Sequence, residues 1–481
     1  MNKIKLLIIL FFILLLQGCN IELDDGDNIV SPNNPNIAIQ GKWKIKDKTY
    51  VKDDSLKNNQ SNISNKKVIF SDKYIYINNK LIENPEYKSK NVNTKEYLLY
   101  NYKIDMDVLK IDSENINVLI VTSGNNYLFD IVYKDDKNIL MYYSGMFLHL
   151  EKISNDTDIN IDDNEDTGYI NEESDLYNNL ASGVLLGLRS HDTKNSDGKY
   201  TYRTLWISSE NKKLNPILEL NNLFIPRKNG FWNMKINSTS SADTLSINPI
   251  EDNINKSLEI KERKDLDKEK KVIQFVSDDY VITEYAKVND LDNSAPRFRV
   301  LPLDNINSSQ GVFLKDIYIE NGKEAYNNSA KAFLVSKGQE ELKNKQVNIN
   351  EQSFTMTRRN GYWILKGRLF YMMEGKENYK DFNINILPTE ELIKYNDLLL
   401  SWNYIKSRVP QAIDAYTSPN KDLAIIITEY EIYIFYIENN LLSSKPIKII
   451  EKRNQEEVIM AEWSTNNYVD LWNDKIKEEL K

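Results

Sequence analysis

Apolar and polar positions alternate in short runs from Gly41 to about Ser154, and polar turn residues separate the runs. Alternation with a period of two predicts β-strands that bury one face, and no convincing helical period lies between them. About eight strands in about 115 residues predict an antiparallel meander, which protects its edges most simply by closing into a barrel. The runs are GKWKI, KVIFS, KYIYIN, EYLLYNYKI, NVLIVT, NYLFDIVY, NILMYY and MFLHLEKI.

The first of these runs opens with Gly41-Lys42-Trp43. This tripeptide resembles the G-x-W that starts the first strand of lipocalin-like barrels. The resemblance implies that Trp43 plugs the closed end of a barrel. A barrel of this kind is also expected to hold a cavity for a small apolar ligand.

Two stretches of the second half nearly repeat each other, RKNGFWNMK from Arg227 to Lys235 and RRNGYWILK from Arg358 to Lys366. Asn-Gly is the strongest two-residue hairpin signal, because both positions tolerate positive φ. Each copy therefore predicts a strand, a tight turn and a second strand whose aromatic side chains pack inward. The basic pairs at the turns are expected to be solvated, with an anion-binding spot as the alternative.

The clearest unit of this half is TSPNKDLAIIITEYEIYIFYIENN, Thr417 to Asn440. It resembles a blade of a WD40 or TolB-like β-propeller, with Ser418-Pro419-Asn420 as the turn and strands at Leu423 to Thr428 and Ile432 to Ile437. At about 43 residues per blade, about 300 residues would form about seven blades, and the repeated motifs would lie about three blades apart. A duplicated β-sandwich is the alternative architecture.

Two amphipathic segments interrupt the strand pattern. Pro388 to Val409 begins with the capping-box-like Thr389-Glu390-Glu391-Leu392 and predicts one helix or two short ones on a sheet edge. The tail, NYVDLWNDKIKEELK, predicts a terminal helix whose apolar face includes Trp472. Taken together, the patterns predict a mainly β chain in which a small meander or lipocalin-like barrel precedes a larger, repeat-built, propeller-like β-domain with short C-terminal helices.

The first residues, MNKIKLLIILFFILLLQGCN, have two lysines and then an unbroken run of eleven apolar residues from Leu6 to Leu16. This is the pattern of a secretory signal peptide, and the run falls short of the roughly 20 residues that span a membrane as a helix. We therefore expect residues 1–18 to be removed.

The end of the run, Leu16-Gln17-Gly18-Cys19, resembles the lipobox of bacterial lipoproteins, in which the cysteine thiol is alkylated with diacylglycerol. The resemblance implies that Cys19 becomes the first mature residue and carries the lipid. Cys19 is also the only cysteine, so no disulfide can form within the chain. Because two or three acyl chains hold a protein stably on a bilayer, we expect an extracytoplasmic protein whose partner through lipidated Cys19 is a bacterial membrane.

Shifts in composition divide the chain into five segments. They are a signal peptide (1–18), a lipidated flexible stalk (19–37), the lipocalin-like barrel (38–153), an acidic linker (154–178) and the propeller-like β-domain with its terminal helix (179–481). The linker invites comparison with a calcium loop counted from Asp162, but Thr167 stands where the tight turn needs glycine. A solvated linker is therefore the expectation.

The chain is mildly acidic, with 62 Lys and Arg against 71 Asp and Glu and a net charge of −9. Removing residues 1–18 takes away two lysines, so the mature chain would carry −11. This charge argues against nucleic acid as the partner. An envelope protein or a glycan is the partner that we expect beside the membrane.

The residue sets of common enzyme chemistries are missing from the sequence. The two histidines, His149 and His191, have no second His or Cys pattern to complete a zinc set, and His149 is expected on a barrel face. The sequence has no G-x-S-x-G nucleophile motif, no Walker loop and no G-x-G-x-x-G. We therefore predict no catalytic residue, no metal ligand and no cofactor.

These observations predict a non-enzymatic, lipid-anchored cell-envelope protein that binds or scaffolds through its second β-domain. Two alternatives stay open. One is an extracytoplasmic hydrolase that acts on glycans through Asp and Glu residues from distant strands, which leave no local spacing in a sequence. The other is a carrier that holds a small apolar ligand in the first barrel.

Overall fold

The structure is a computed structural model. It describes residues 28–29, 39–51, 67–77, 80–123, 126–143, 145–158, 180–191, 200–239, 241–250, 268–290, 293–336, 338–342 and 345–480. The chain is mainly β, as predicted, and builds curled antiparallel sheets with a few short helices.

A ten-stranded antiparallel sheet forms the first β-domain. Its strands are β1 (Asn28–Ile29), β2 (Gly41–Tyr50), β3 (Lys67–Phe70), β4 (Tyr74–Ile77), β5 (Lys80–Glu83), β6 (Pro85–Asn93), β7 (Asn115–Ser123), β8 (Asn126–Tyr133), β9 (Asn138–Tyr143) and β10 (Met146–Ser154). They lie side by side in the order β1-β6-β7-β8-β9-β10-β2-β3-β4-β5. Sequence neighbours pair along most of this path, as in the predicted meander, and β10 pairs with β2 to join its two halves.

The inner face of this sheet is filled by the chain's own side chains. Trp43 is fully buried there and donates from Nε1 to the carbonyl oxygen of Ile39 at 2.7 Å. Phe70, Phe129 and Leu148 pack in the same cluster, each at most 1% exposed. Burial of these side chains accounts for the alternation of apolar and polar positions in the sequence.

The prediction of a strand at EYLLYNYKI is wrong, because Thr94–Tyr102 forms helix α1. The Asn93 side chain accepts a hydrogen bond from the backbone N–H of Glu96 at 3.0 Å and so caps the helix N-terminus. Lys103 ends the helix in the left-handed conformation, with φ of 54°. The aromatic and leucine content of the segment favours a strand, but the two caps and the burial of Leu98 outweigh that preference.

Five smaller antiparallel sheets follow in chain order and form the second β-domain. Their strands are β11 (Ala181–His191), β12 (Tyr200–Glu210), β13 (Lys213–Leu214), β14 (Leu218–Asn221), β15 (Leu223–Arg227), β16 (Gly230–Ser238), β17 (Asp243–Pro249), β18 (Glu269–Val276), β19 (Tyr280–Lys287), β20 (Arg297–Pro302), β21 (Val347–Arg359), β22 (Tyr362–Met373), β23 (Lys376–Ile384), β24 (Asp414–Thr417), β25 (Leu423–Ile427), β26 (Glu431–Glu438), β27 (Leu441–Leu442), β28 (Lys448–Glu451) and β29 (Glu457–Thr465). We label the sheets I (β11–β14 with β29), II (β15–β17), III (β18–β20), IV (β21–β23) and V (β24–β28).

The last strand of the domain returns to its first sheet. β29 pairs antiparallel with β11, so that Ser464 lies opposite Gly183 and Glu457 lies opposite Arg189. Sheet I is therefore built from both ends of the domain, and sheets II to V lie between these ends in sequence.

The described residues contain five sheets, where the sequence predicted about seven repeat units. The repeated motifs lie on sheets II and IV, two sheets apart and not three. The chain length assumed for extra units is used instead by the segments between β20 and β21 and between β23 and β24, which hold helices and turns. The unit at Thr417 to Asn440 has the predicted strands, as β25 and β26.

Four further helices belong to the second β-domain in the described residues. They are α2 (Leu314–Ile317), α3 (Gly322–Val335), α4 (Trp402–Arg408) and α5 (Asn467–Glu479). Single 3-10 turns lie at Val288–Asp290, Leu303–Asn305 and Glu340–Leu342. The predicted terminal helix is confirmed as α5, which buries Val469 and Ile476.

The helix prediction for Pro388 to Val409 holds only for its last third, α4, which Ser401 caps by accepting from the N–H of Tyr404 at 3.2 Å. The earlier part of the segment is hydrogen-bonded to β22 instead. The side chain of Asn396 accepts from the N–H of Trp363 at 2.7 Å and donates to its carbonyl oxygen at 3.0 Å. These tertiary bonds hold the segment out of a helix, and the capping-box-like sequence could not reveal them.

The two β-domains contact each other through α1 and β8 of the first. The Tyr100 hydroxyl of α1 donates to Asn385 Oδ1 at 2.8 Å. On β8, the fully buried carboxylate of Asp130 accepts from Asn403 Nδ2 at 2.8 Å, and burial raises the pKa of this carboxyl. In the part of the chain that the structure describes, no helix is both long and apolar enough to cross a membrane.

Candidate functional site: a charged cavity between four sheets

A cavity of about 360 Å³ lies where sheets I, III, IV and V meet, and we call it the inter-sheet cavity. Sheet I contributes to it through β11 and β29, sheet III through β18, sheet IV through β21 to β23, and sheet V through β24 and β25. Its volume falls at the lower end of the range typical of small-molecule sites. Because residues more than 260 positions apart meet there, the site is a product of the tertiary fold.

Charged side chains of both signs line the cavity. The basic ones are Arg189, Arg358, Lys366 and Lys452, and the acidic ones are Asp381, Asp414, Glu456 and Glu457. The apolar lining consists of Met356, Trp363, Ile413, Ile427, Val458 and Ile459. The two sets of charges balance formally, so the charge that a ligand would meet depends on how they are paired.

Arg358 and Asp414 form the more deeply buried of the two ion pairs whose members both lie in the lining. Nε and Nη2 of Arg358 donate to the two Asp414 oxygens at 2.7 and 3.1 Å, and Nη2 also donates to the carbonyl oxygen of Ala415 at 2.7 Å. Both side chains are 10% exposed. The guanidinium lies between the rings of Tyr416 and Trp363, 3.9 and 5.1 Å from their centroids. Burial alone would lower the pKa of Arg358, but the Asp414 carboxylate raises it above its ordinary value.

Arg189 fixes a second wall of the cavity, where sheet I meets sheet III. Its Nη1 donates to the carbonyl oxygen of Ile273 at 2.9 Å and to Gln274 Oε1 at 2.6 Å, while Nη2 pairs with the Glu457 carboxylate. One guanidinium therefore links β11, β18 and β29.

The other two carboxylates are held by arginines that lie outside the lining. Glu456, 1% exposed, accepts from Nε and Nη2 of Arg203 at 2.8 and 2.6 Å. Asp381 accepts from Nε and Nη2 of Arg368 at 2.6 and 2.9 Å. All four acids of the cavity are thus engaged by a guanidinium, three of them through both oxygens.

This pairing leaves the two lysines as the lining cations without an ion-pair partner among the described residues. Lys366 and Lys452 are both half-buried, and neither forms an ion pair with a carboxylate of the described residues. Lys452 Nζ donates to the carbonyl oxygen of Thr428 at 2.9 Å. Burial lowers the pKa of this ammonium, against the opposing effect of Glu456 and other nearby acids. Lys366 and Lys452 are therefore the cations of the lining that a ligand could meet without breaking an ion pair.

Further along β29, away from this cavity, Glu462 is 6% exposed and its Oε1 has no hydrogen-bond partner. Burial, and then the neighbouring Asp278 carboxylate, raise the pKa of Glu462 well above its ordinary value. Asp278 has a raised pKa as well, through burial and the charge of Asp279. Lys394 lies 3.9 Å from Asp278 and 3.7 Å from Asp279.

Of the residues singled out in the sequence, Arg358 lines the inter-sheet cavity, and the others lie away from it or outside the described residues. Cys19, the predicted lipid attachment site, and the calcium-like stretch from Asp162 lie outside the described residues. His149 is half-buried on β10 and hydrogen-bonds Thr49 Oγ1 at 2.8 Å, while the His191 ring packs edge-on against Tyr200. Within the described ranges, no group of three or more His, Cys, Asp or Glu is arranged to hold a metal ion.

The first arginine of each basic pair, Arg227 or Arg358, fits neither the solvated-turn interpretation nor the anion-binding alternative. Arg227 is 9% exposed and bonds Asp304 Oδ1 at 2.9 Å and the Asp278 carbonyl at 3.1 Å, and Arg358 pairs with buried Asp414. They are neither solvated turn residues nor open anion sites, because each guanidinium already donates hydrogen bonds to groups outside its own hairpin. Lys228, the second residue of the first pair, is exposed as predicted.

Lys366 and Lys452 were not predicted from the sequence as candidate binding residues. Lys366 ends the quoted motif RRNGYWILK, but its counterpart Lys235 is exposed, so membership of the motif does not mark a site. Lys452 stands in a polar turn between β28 and β29. Only the three-dimensional pairing of the acids distinguishes these two lysines from the other lysines of the chain.

Neither a protein family nor a curated protein matches the chain. Among solved structures, apo AztD from Citrobacter koseri shares 8% identity with this chain over 57% of it and 72% of the AztD chain, with a TM-score of 0.16. A TM-score this low carries no argument about fold or function.

Proposed function

We propose that the chain is a non-enzymatic extracytoplasmic binding protein, held on a bacterial membrane by a lipid on Cys19. Its second β-domain carries the binding surface, with sheets I to V as irregular blades of a propeller-like ring. The return of β29 to sheet I supports the ring, because joining the last strand to the first sheet is how a circular array of sheets is closed.

The inter-sheet cavity is the observation that carries the proposal. It offers space for a ligand, and each of its four carboxylates is already engaged by an arginine. A carboxylate held by a guanidinium is a poor proton donor, so the cavity suits binding better than acid–base catalysis. The first β-domain gives no support to the apolar-carrier alternative, because its inner face is packed with side chains.

A crosslinking pull-down from intact cells tests the binding role, with Cys19→Ala as the control for the anchor. We expect the chain in the membrane fraction together with a reproducible envelope partner, and we expect Cys19→Ala to release the chain from that fraction. Recovery of the chain alone would argue against a scaffolding role, and membrane retention of the variant would argue against the lipid anchor.

The alternative of a glycan hydrolase is favoured by one observation, the raised pKa of Glu462 beside that of Asp278. A carboxyl with a raised pKa can serve as a general acid, and a second carboxylate can act as nucleophile or base. Purified chain incubated with cell-wall polysaccharide tests this role. Hydrolysis that Glu462→Gln abolishes would replace the binding proposal, and the absence of hydrolysis would remove the alternative.

A further inference from the structure

The inter-sheet cavity contains two ammonium groups that form no ion pair with a carboxylate of the described residues. Each lining carboxylate is engaged by an arginine, two of them by Arg203 and Arg368 from outside the lining, which also pair with Glu219 and Glu284. The lining is left with the ammonium groups of Lys366 and Lys452. Half-buried charges are partly stripped of water, so two ammonium groups without an ion-pair partner cost free energy until a counter-ion binds.

The apolar part of the lining limits what that counter-ion can be. Trp363, Ile413 and Val458 contribute indole and branched aliphatic groups beside the two lysines. A bare inorganic ion would leave this surface in contact with water, while an organic anion would cover it with its carbon skeleton. The volume of about 360 Å³ suits a molecule of about monosaccharide size.

We infer that the inter-sheet cavity binds a small organic anion, whose acidic group lies between Lys366 and Lys452 and whose carbon skeleton packs against Trp363, Ile413 and Val458. This inference rests on the proposed binding function and gives that function a ligand class. Lys366 is positioned by the β21–β22 hairpin, where it lies opposite Thr355. Lys452 is positioned by the Thr428 carbonyl that its ammonium contacts.

Isothermal titration of the purified full chain, kept in detergent at low ionic strength, tests the inference. The probes are D-glucuronate and succinate as organic anions, D-glucose as the neutral match of glucuronate, and inorganic phosphate as a bare anion. We expect at least one organic anion to bind with higher affinity than phosphate, and no heat with D-glucose. The absence of binding heat with both organic anions up to about 10 mM, a concentration at which even a weak site would bind, would overturn the inference.

Variants assign the binding to the two lysines. We expect Lys366→Gln and Lys452→Gln each to weaken the organic anion by about tenfold or more, which is the effect of one lost charge-assisted hydrogen bond. Lys445→Gln is the matched control, because Lys445 is exposed and lies outside the lining. Lys366→Arg and Lys452→Arg keep the charge and are expected to retain most of the affinity, so a folding defect in a glutamine variant does not decide the result.

Undiminished binding by both glutamine variants, or equal binding of D-glucose, would refute the site. The outcome is separable from the pull-down. A chain that captures an envelope partner but binds none of the organic anions refutes the ligand class and leaves the binding role intact, while anion binding without a partner does the reverse.

Discussion

The two copies of the repeated motif share most of their letters, but their hairpin turns are offset by one residue. In the first copy Arg227 pairs with Gly230, so Lys228 and Asn229 form the turn. In the second copy Arg359 pairs with Tyr362, and Asn360 and Gly361 form the turn. Moving the turn by one residue shifts each cross-strand partner by two residues, so equivalent side chains keep the same face of the strand. The guanidinium of Arg227 lies over Trp232 and that of Arg358 lies over Trp363.

The turns themselves show the difference. Asn360 and Gly361 have φ of 51° and 87°, as the Asn-Gly pair predicts for a two-residue hairpin turn. In the first copy Gly230 has φ of 113°, but Asn229 is not among the positive-φ residues. The Asn229 side chain instead accepts from Trp232 Nε1 at 3.0 Å. The Asn-Gly pair thus predicts a hairpin in both copies, but it does not predict which two residues form the turn.

The largest expected contrast is between Arg358→Met and Arg227→Met. Arg358→Met leaves the Asp414 carboxylate buried without its partner, which we expect to cost about 3–5 kcal/mol. Arg227→Met leaves Asp304, 65% exposed, free to be hydrated, and we expect a cost of about 1 kcal/mol. Urea unfolding of the two variants beside the parent chain measures both costs, and equal losses would show that the burial difference has no energetic weight.

The second contrast concerns the turn glycines. A Cβ at Gly361 would lie 2.5 Å from Leu398 Cδ2 and would face an unfavourable φ, so we expect Gly361→Ala to cost about 2–3 kcal/mol. Gly230→Ala meets the strain of its φ, and we expect about 1–2 kcal/mol. Thermal unfolding gives the order of the two. A larger loss for Gly230→Ala would mean that Leu398 yields easily.

The third contrast concerns pH, because the first copy lies beside a carboxyl that it does not neutralise. Arg227 bonds the backbone oxygen of Asp278, whose carboxyl keeps a raised pKa. A carboxyl with a raised pKa contributes stability that is complete below its ordinary value near 3.8 and is lost as pH rises through the raised value. Asp278→Asn imitates the protonated form, so we expect it to be more stable than the parent at neutral pH, with the gain fading toward pH 4.

Unfolding midpoints between pH 4 and 8 follow this gain. The matched control is Asp304→Asn, which removes the exposed partner of the same arginine and is expected to lose stability. A gain for Asp278→Asn that is independent of pH would assign its effect to packing and not to charge.

The smallest contrast concerns the second basic residue of each motif. Arg359 lies 3.7 Å from Glu96 and 4.9 Å from the Tyr100 ring, both on α1 of the first β-domain. We expect Arg359→Gln to cost about 0.5 kcal/mol, and the cost to shrink in high salt. Lys228→Gln, at an exposed position, should be silent within error. A salt-independent loss for Arg359→Gln would indicate packing of its aliphatic stem as the cause.

Much of the fold could be predicted from period and turn chemistry. The alternation from Gly41 to Ser154 corresponds to β2 to β10 except at α1, and the Ser-Pro-Asn turn leads into β25 as expected. The failures occur where distant residues decide, as with Asn396 holding its segment beside Trp363 and out of a helix. The candidate site could not be predicted, because nothing in the sequence distinguishes Lys366 and Lys452 from other lysines. Only the structure shows that Asp381 and Glu456 are bound by arginines and not by these lysines.

The pairing of β29 with β11 makes the order of synthesis matter. A ribosome delivers β11 first, and the edge that β29 will cover stays open while about 270 further residues are made. An open strand edge is a template for pairing with other chains. Chains released before residue 457 would keep that edge open, so we expect these prematurely terminated products to aggregate or to be degraded. Truncations within α5 would leave the pairing of β11 with β29 intact.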